Sequence, residues 1–237
     1  MNTKISEITK VQRAVEAAMS KVIEYICHTK KPTSEKAHKI IDHILQKYNC
    51  ESPESHIVAG GKQAVEPHNE GTGILTKNEA IVIDIFPRSK DTGYFADMTR
   101  TISIGTPSLK LQKMYKDVLE AQNIAISMLA PGVNCIEIQN TVENFFITKG
   151  YINKGIGRDF TYEEGFVHGV GHGVSRNLHD KPHIGRRTQD ILKEGDIVTV
   201  EPGLYYYDIG AIRIEDLLVI TRLGSKKITN YSYQFIY

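Results

Sequence analysis

Apolar residues along this chain recur first at helical spacing and then in short continuous runs, and that order occurs twice. Residues 6–30 place Val11, Ala14, Val15, Ala18, Val22, Ile23 and Ile26 on one helical face. A second helix is expected after Pro32-Thr33-Ser34, with Ala37, Ile40, Ile41, Ile44 and Leu45 on its apolar stripe. Strand-like runs follow at residues 56–60, 80–86 and 94–104. The pattern then restarts. Thr106-Pro107 reads as an N-cap with proline at the first helical position, and Pro131-Gly132 breaks that helix after about Leu129. Asn134 and Glu137 hold the N-cap and N3 positions of a capping box, which opens a further helix ending near Gly150. Strand-like runs return at residues 197–207 and 211–221. This repetition predicts an internal duplication with halves of roughly residues 1–105 and 106–237. No Pro-, Gly- or Ser-rich linker separates them, so one domain over residues 1–237 is expected.

Composition narrows the function without naming it. With 41% hydrophobic and 24% charged residues the chain reads as an ordinary globular protein. A net charge of +1 and the lack of a Lys/Arg run argue against nucleic acid or an anionic membrane as a partner. The apolar runs are shorter than the roughly 18 residues that a membrane span needs, and the first residues lack the apolar stretch of a secretory signal. Cys27, Cys50 and Cys135 are scattered, which fits free thiols in a reducing cytoplasm.

The strand-like runs carry the chemistry. Asp84 interrupts the apolar run Ile81-Val82-Ile83, and Asp97 follows thirteen positions later; Glu201 ends the run Ile197-Val198-Thr199-Val200, and Glu215 follows fourteen positions later. Turn residues separate each pair, Asp91-Thr92-Gly93 in one and Asp208-Ile209-Gly210 in the other. An ionised carboxylate within an apolar strand is costly unless compensated. Four of them converging would repel one another and raise their own pKa values. Divalent cations resolve that conflict, and oxygen donors suit Mn, Co, Fe or Zn. Between residues 168 and 179 the chain adds His168, His172 and His179 among glycines, where ligand and backbone can approach closely. Residues two apart on a strand share a face, so Arg213 and Glu215 are expected to point one way and Ile212 and Ile214 the other.

These residues resemble the pita-bread metallopeptidases, the group containing methionine aminopeptidase, prolidase, aminopeptidase P and creatinase. Asp84, Asp97, His172, Glu201 and Glu215 fall in family order within VIDIF, ADMTRT, GVGHGVS, TVEPGLY and IRIED. The resemblance implies an α+β fold: a curved, mainly antiparallel sheet with outer helices and pseudo-twofold symmetry. It implies two divalent ions per chain, manganese first, with cobalt, zinc or iron as alternatives. Asp97 and Glu215 would bridge the ions, Asp84 would complete one, and His172 with Glu201 the other. DMTRT and IRIED resemble the prolidase and aminopeptidase P branch, which implies hydrolysis of the N-terminal Xaa-Pro bond of a small peptide. The alternatives are a methionine aminopeptidase, or a non-peptidase or peptide-binding relative. Substrate-side histidines of the branch match His68, His168 and His179. Of these, His179 would stabilise the oxyanion, while His68 and His168 line the pocket. Glu201 would move a proton from water to the leaving amine, and Arg213 would either orient a metal carboxylate or meet a substrate carboxyl group. A homodimer is a further expectation. One departure stands out: the hairpin from Asp84 to Asp97 is about two residues longer than is usual for the branch.

Overall fold

The computed structural model describes residues 2–153 and 163–237. Helices α1 (Asn2–His28) and α2 (Ser34–Lys47) open the chain. Strands β1 (Cys50–Glu51), β2 (Ile57–Gly60), β3 (Ile81–Ile85), β4 (Arg88–Ser89) and β5 (Met98–Ile102) complete the first half. Helices α3 (Leu109–Met128) and α4 (Cys135–Thr148) open the second. After them come β6 (Gly171–Gly173), β7 (Asp180–Ile184) and β8 (Ile197–Val200). The chain closes through β9 (Gly203–Tyr206), β10 (Gly210–Arg213), β11 (Asp216–Thr221) and β12 (Gly224–Lys227). No helix among the described residues is long and apolar enough to cross a membrane.

Helix starts obey local chemistry, with two adjustments to the expected caps. Thr33 caps α2 by accepting from the Lys36 backbone N–H. The cap of α3 is Ser108, whose hydroxyl accepts from Leu111 N at 3.2 Å. Thr106, the expected cap, lies two residues before it and donates its backbone N–H to Asn78 Oδ1. Asn134 does sit at the N-cap of α4. Its side-chain amide, however, donates to the Glu137 carboxylate at 3.2 Å, so the reciprocal side-chain-to-backbone bonds of a capping box do not form.

Strand pairing is antiparallel throughout the named ladders. A three-stranded sheet has the order β2-β3-β5, and the larger sheet runs β12-β11-β8-β6-β7. The order β6-β8-β11 repeats β2-β3-β5, as duplication predicts. Two runs expected as single strands are each broken. Residues 197–207 divide at Glu201-Pro202, where proline offers no N–H and fixes φ. Residues 211–221 divide at Ile214-Glu215. The halves are stitched where the ladders stop: Thr101 Oγ1 donates to Arg213 O and accepts from Arg213 N, at 2.8 and 2.9 Å.

Period-two alternation decides what each strand face does. Ile81, Ile83 and Ile85 of β3 pack with the buried stripe of α1, including Val11, Val15 and Val22. Val82 and Asp84 therefore face away from the helices. In β8, Ile197 joins that same cluster, while Val198 and Val200 pack with Val118 and Ala125 of α3 and Ile138 of α4. Each fully buried aliphatic side chain contributes about 1.5–3 kcal/mol, which holds the ladders against both helix pairs. β6 is squeezed between two neighbours, and a Cβ at Gly171 would lie 2.1 Å from Thr199 O. At Gly173 it would lie 2.2 Å from Lys181 O, so only glycine fits on either side of His172.

Candidate metal centre

Asp84, Asp97, His172, Glu201 and Glu215 line one cavity of about 330 Å³, together with His68, His168, His179 and Arg213. Three of the four acids come from strand ends or strand breaks. Asp97 and Glu215 immediately precede β5 and β11, Glu201 immediately follows β8, and Asp84 lies within β3 opposite Thr99. His172 is the middle residue of β6. Ligand atoms of Asp97, His172 and Glu215 lie within 4.8 Å of one another. His172 Nε2 stands 3.7 Å from Asp97 Oδ2 and 3.4 Å from Glu201 Oε1.

Protonation follows from burial and from the neighbours. Asp97 and Glu215 are nearly inaccessible, and burial drives both carboxyls well above their usual range; the charges of the other acids add to this. Burial is also the first cause for Glu201, which is pushed up to about 8 against the opposing pull of Arg213. The His172 ring is pushed down to about 4 by burial and then by His179, so it is neutral. With Nδ1–H donating to Gly173 O at 3.1 Å, Nε2 keeps its lone pair toward the acids. Asp84 Oδ1 and Asp97 Oδ1 are buried with no hydrogen-bond partner among the described residues. Orphaned carboxylate oxygens, crowded acids and a neutral imidazole make a donor set that fits divalent cations.

Arg213 is 3% exposed and fully engaged by the protein. Its Nη2 donates to Asp84 Oδ2 at 2.8 Å, Nη1 to Tyr205 Oη at 2.9 Å and Pro67 O at 3.1 Å, and Nε to Thr99 Oγ1 at 3.2 Å. The protein's own acceptors occupy the fork, which supports the first of the two roles expected of Arg213, orienting a carboxylate. Tyr205, to which the sequence assigned no chemistry, continues the chain: its hydroxyl bonds His168 Nε2 at 2.9 Å. His168 Nδ1 meets Gly169 O at 2.8 Å, so both ring nitrogens are committed. Burial and the Arg213 charge push this ring down to about 3. It offers the cavity a neutral ring surface. His68 and His179 are exposed at the mouth, and the His179 ring centroid lies 4.4 Å from that of His172. Burial and then Arg213 lower the His68 pKa.

Other positioning residues were missed in the sequence. Gln122 of α3 donates from Nε2 to Val200 O at 3.1 Å and to Ile214 O at 3.2 Å, the carbonyls just before Glu201 and Glu215. A polar residue inside the buried stripe Val118, Ala121, Ala125 was its visible signal. Thr99 Oγ1 donates to Glu215 Oε2 at 2.8 Å. Arg100 reaches Glu215 O at 2.6 Å and Asp216 Oδ1 at 2.8 Å from beneath.

The model of metallopeptidase family M24 matches residues 6–222. The chain is similar to the Xaa-Pro dipeptidase of Pyrococcus horikoshii, 32% identical over 235 residues that make up 97% of this chain and 63% of the relative. Its fold is similar to the Xaa-Pro dipeptidase from Bacillus anthracis, with a TM-score of 0.89 and 27% identity over 100% of this chain and 63% of that one. The X-Pro aminopeptidase from Thermotoga maritima MSB8 superposes with a TM-score of 0.88 and 27% identity, over 100% of this chain and 64% of that one. The chain therefore spans less than two thirds of the length of these relatives.

Proposed function

The chain belongs to metallopeptidase family M24, and on that footing we propose that it hydrolyses the N-terminal Xaa-Pro bond of peptides using two divalent ions, manganese first. The observation that carries this reading is the convergence of five donors around two buried carboxylate oxygens that no protein group satisfies. Asp97 and Glu215 would be shared by both ions, with Asp84 completing one and His172 and Glu201 the other. When bound, the ions supply a water of lowered pKa and polarise the scissile carbonyl. Glu201, at a strand break beside the neutral His172 ring and pushed up to about 8, is the group that would take a proton from the water and pass it to the leaving prolyl nitrogen, which has none in the peptide. His179 donates to the developing oxyanion, and His68 holds the substrate at the mouth. Ile57, Phe86, Leu178 and Ile184 give the cavity apolar walls suited to a rigid pyrrolidine ring. The free cysteines at 27, 50 and 135 support a cytoplasmic setting.

A peptide panel tests the proposal: Ala-Pro, Ala-Pro-Ala and Met-Ala-Ser, each with manganese, cobalt or zinc. Cleavage of the first two is expected, and cleavage of Met-Ala-Ser alone would move the chain to the methionine branch. His179→Ala should lower turnover by roughly 10²–10³ with metal content unchanged. Metal lost in that variant would make His179 a ligand instead.

A further inference from the structure

A second cavity, of about 280 Å³, adjoins the first and shares Glu54, Phe86, Leu178 and His179 with it. None of the proposed ligands borders it. Beyond the shared wall it is lined by Arg88 and Arg176, and Arg88 lies on the long hairpin between Asp84 and Asp97. The two cations differ. Arg88 is cancelled by Glu51, to which Nε and Nη2 donate at 3.0 and 2.8 Å. Arg176 donates through Nε to Thr92 O at 3.1 Å, and its guanidinium lies 5.1 Å from the Tyr94 ring centroid. Among the described residues no carboxylate pairs with it. One edge and one face of the guanidinium are held, and the Nη groups are left for a planar acceptor. A site that cleaves beside an amine terminus accepts only the rest of the peptide into an adjoining track. Each added residue carries the peptide's terminal carboxylate about 3.3–3.6 Å further from the acids.

We propose that this second cavity is the track for the remainder of an oligopeptide whose first residue lies at the carboxylate cluster, and that Arg176 receives a carboxylate on that remainder. The inference rests on the peptidase reading above, which supplies the direction of the chain. It identifies the substrate class as peptides longer than a dipeptide, bearing a carboxylate at the C-terminus or on an acidic side chain near it.

The test compares wild type with Arg176→Ala, both loaded with manganese. Substrates are Ala-Pro, Ala-Pro-Ala-Ala, its C-terminal amide, and the amide of Ala-Pro-Ala-Glu. For the wild type kcat/KM should fall about three- to tenfold when the tetrapeptide is amidated. Recovery with the glutamate amide would identify a side-chain carboxylate as an equal source, whereas no recovery would assign the site to the terminal one. In Arg176→Ala these differences should vanish while Ala-Pro turnover stays at the wild-type value. Calorimetric binding of Pro-Ala-Ala and its amide reads the same contact without cleavage, and the free acid should bind about three- to tenfold tighter to wild type only. Equal binding of acid and amide by wild type, or a preference that survives in Arg176→Ala, would overturn the proposal even if every peptide is cleaved. Carboxylate preference in binding without hydrolysis of any peptide would refute the peptidase reading, and with it the direction of the track, while leaving the carboxylate contact at Arg176 standing.

Discussion

The β3–β5 pair and the β8–β11 pair bring two acids each to the same cavity, but they hold them differently. In the first pair Asp84 sits inside the ladder opposite Thr99, and one further pair, Ile85 with Met98, follows it. In the second the ladder ends at Val200 with Asp216, so Glu201 lies one step outside it, just before Pro202. Asp84 is clamped by Arg213 from the other half, at 2.8 Å. Glu201 has only a 3.4 Å contact from the Thr199 hydroxyl and the neighbouring His172 ring. A carboxylate clamped by a buried cation is fixed in place. One at a strand break without such a clamp holds its proton up to about pH 8 in the metal-free protein and is free to exchange it. Duplicated halves thus supply one anchoring acid and one proton-moving acid.

The sharpest way to break this comparison is to remove the acids that the halves contribute alike. Asp97→Ala and Glu215→Ala should each abolish detectable hydrolysis and lose both ions together in elemental analysis. Two tight ions retained in either variant would mean that the halves are not equivalent at the shared positions. Next in size, Arg213→Met leaves the buried Asp84 carboxylate without its partner. Denaturant unfolding of the metal-free protein should show about 3–5 kcal/mol less stability, and an unchanged midpoint would remove the distinction between clamped and unclamped acids.

A smaller effect is expected on the second half alone. Gln122→Met keeps the volume in α3 but removes the donor to the carbonyls before Glu201 and Glu215. Apparent metal affinity should fall about 10- to 100-fold while unfolding of the metal-free protein changes far less than for Arg213→Met. Equal loss of stability in both variants would make Gln122 a packing residue. The smallest signal is proton release. Carboxyls whose pKa is raised carry protons near pH 7 in the metal-free protein, and bound cations expel them. Calorimetry in buffers of different ionisation enthalpy should therefore show release on metal loading at pH 7. Release should be smaller at pH 9, above the value of about 8 for Glu201, and affinity should rise with pH. By the same sign, metal-free stability contributed by these acids declines as pH climbs from the unfolded carboxyl value toward 8. Release independent of pH would place the displaced protons elsewhere.

Periodicity in the chain located α1, expected over 6–30 and found over Asn2–His28, and the start of α2, and the repeated order of helices and strand runs anticipated the matching β2-β3-β5 and β6-β8-β11 orders. It was less successful where a run continued through a break. Residues 197–207 read as one strand because Glu201-Pro202 looks like a local blemish in an apolar stretch. The structure turns there because proline cannot extend the ladder and Glu201 N–H finds Val170 O at 2.7 Å instead. Thr106-Pro107 read as the cap of α3, whereas Ser108 caps it and the Thr106 N–H bonds Asn78. That partner is 28 positions away, beyond any local rule.

For the centre itself the residue types and their spacing were enough to nominate Asp84, Asp97, Glu201 and Glu215, because acids within apolar strands demand compensation wherever they meet, while the family resemblance singled out His172 among three histidines. What each of them has as a partner was decided only in three dimensions. Arg213 pairs with an acid 129 positions earlier, Gln122 grips carbonyls 78 and 92 positions later, and Tyr205 holds the His168 ring from 37 positions away. Local sequence dictates propensity, periodicity and chemical type, since those depend on neighbours within a few residues. Hydrogen-bond partners, burial and therefore protonation depend on which distant strands the core brings together, and no pattern along the chain contains that information.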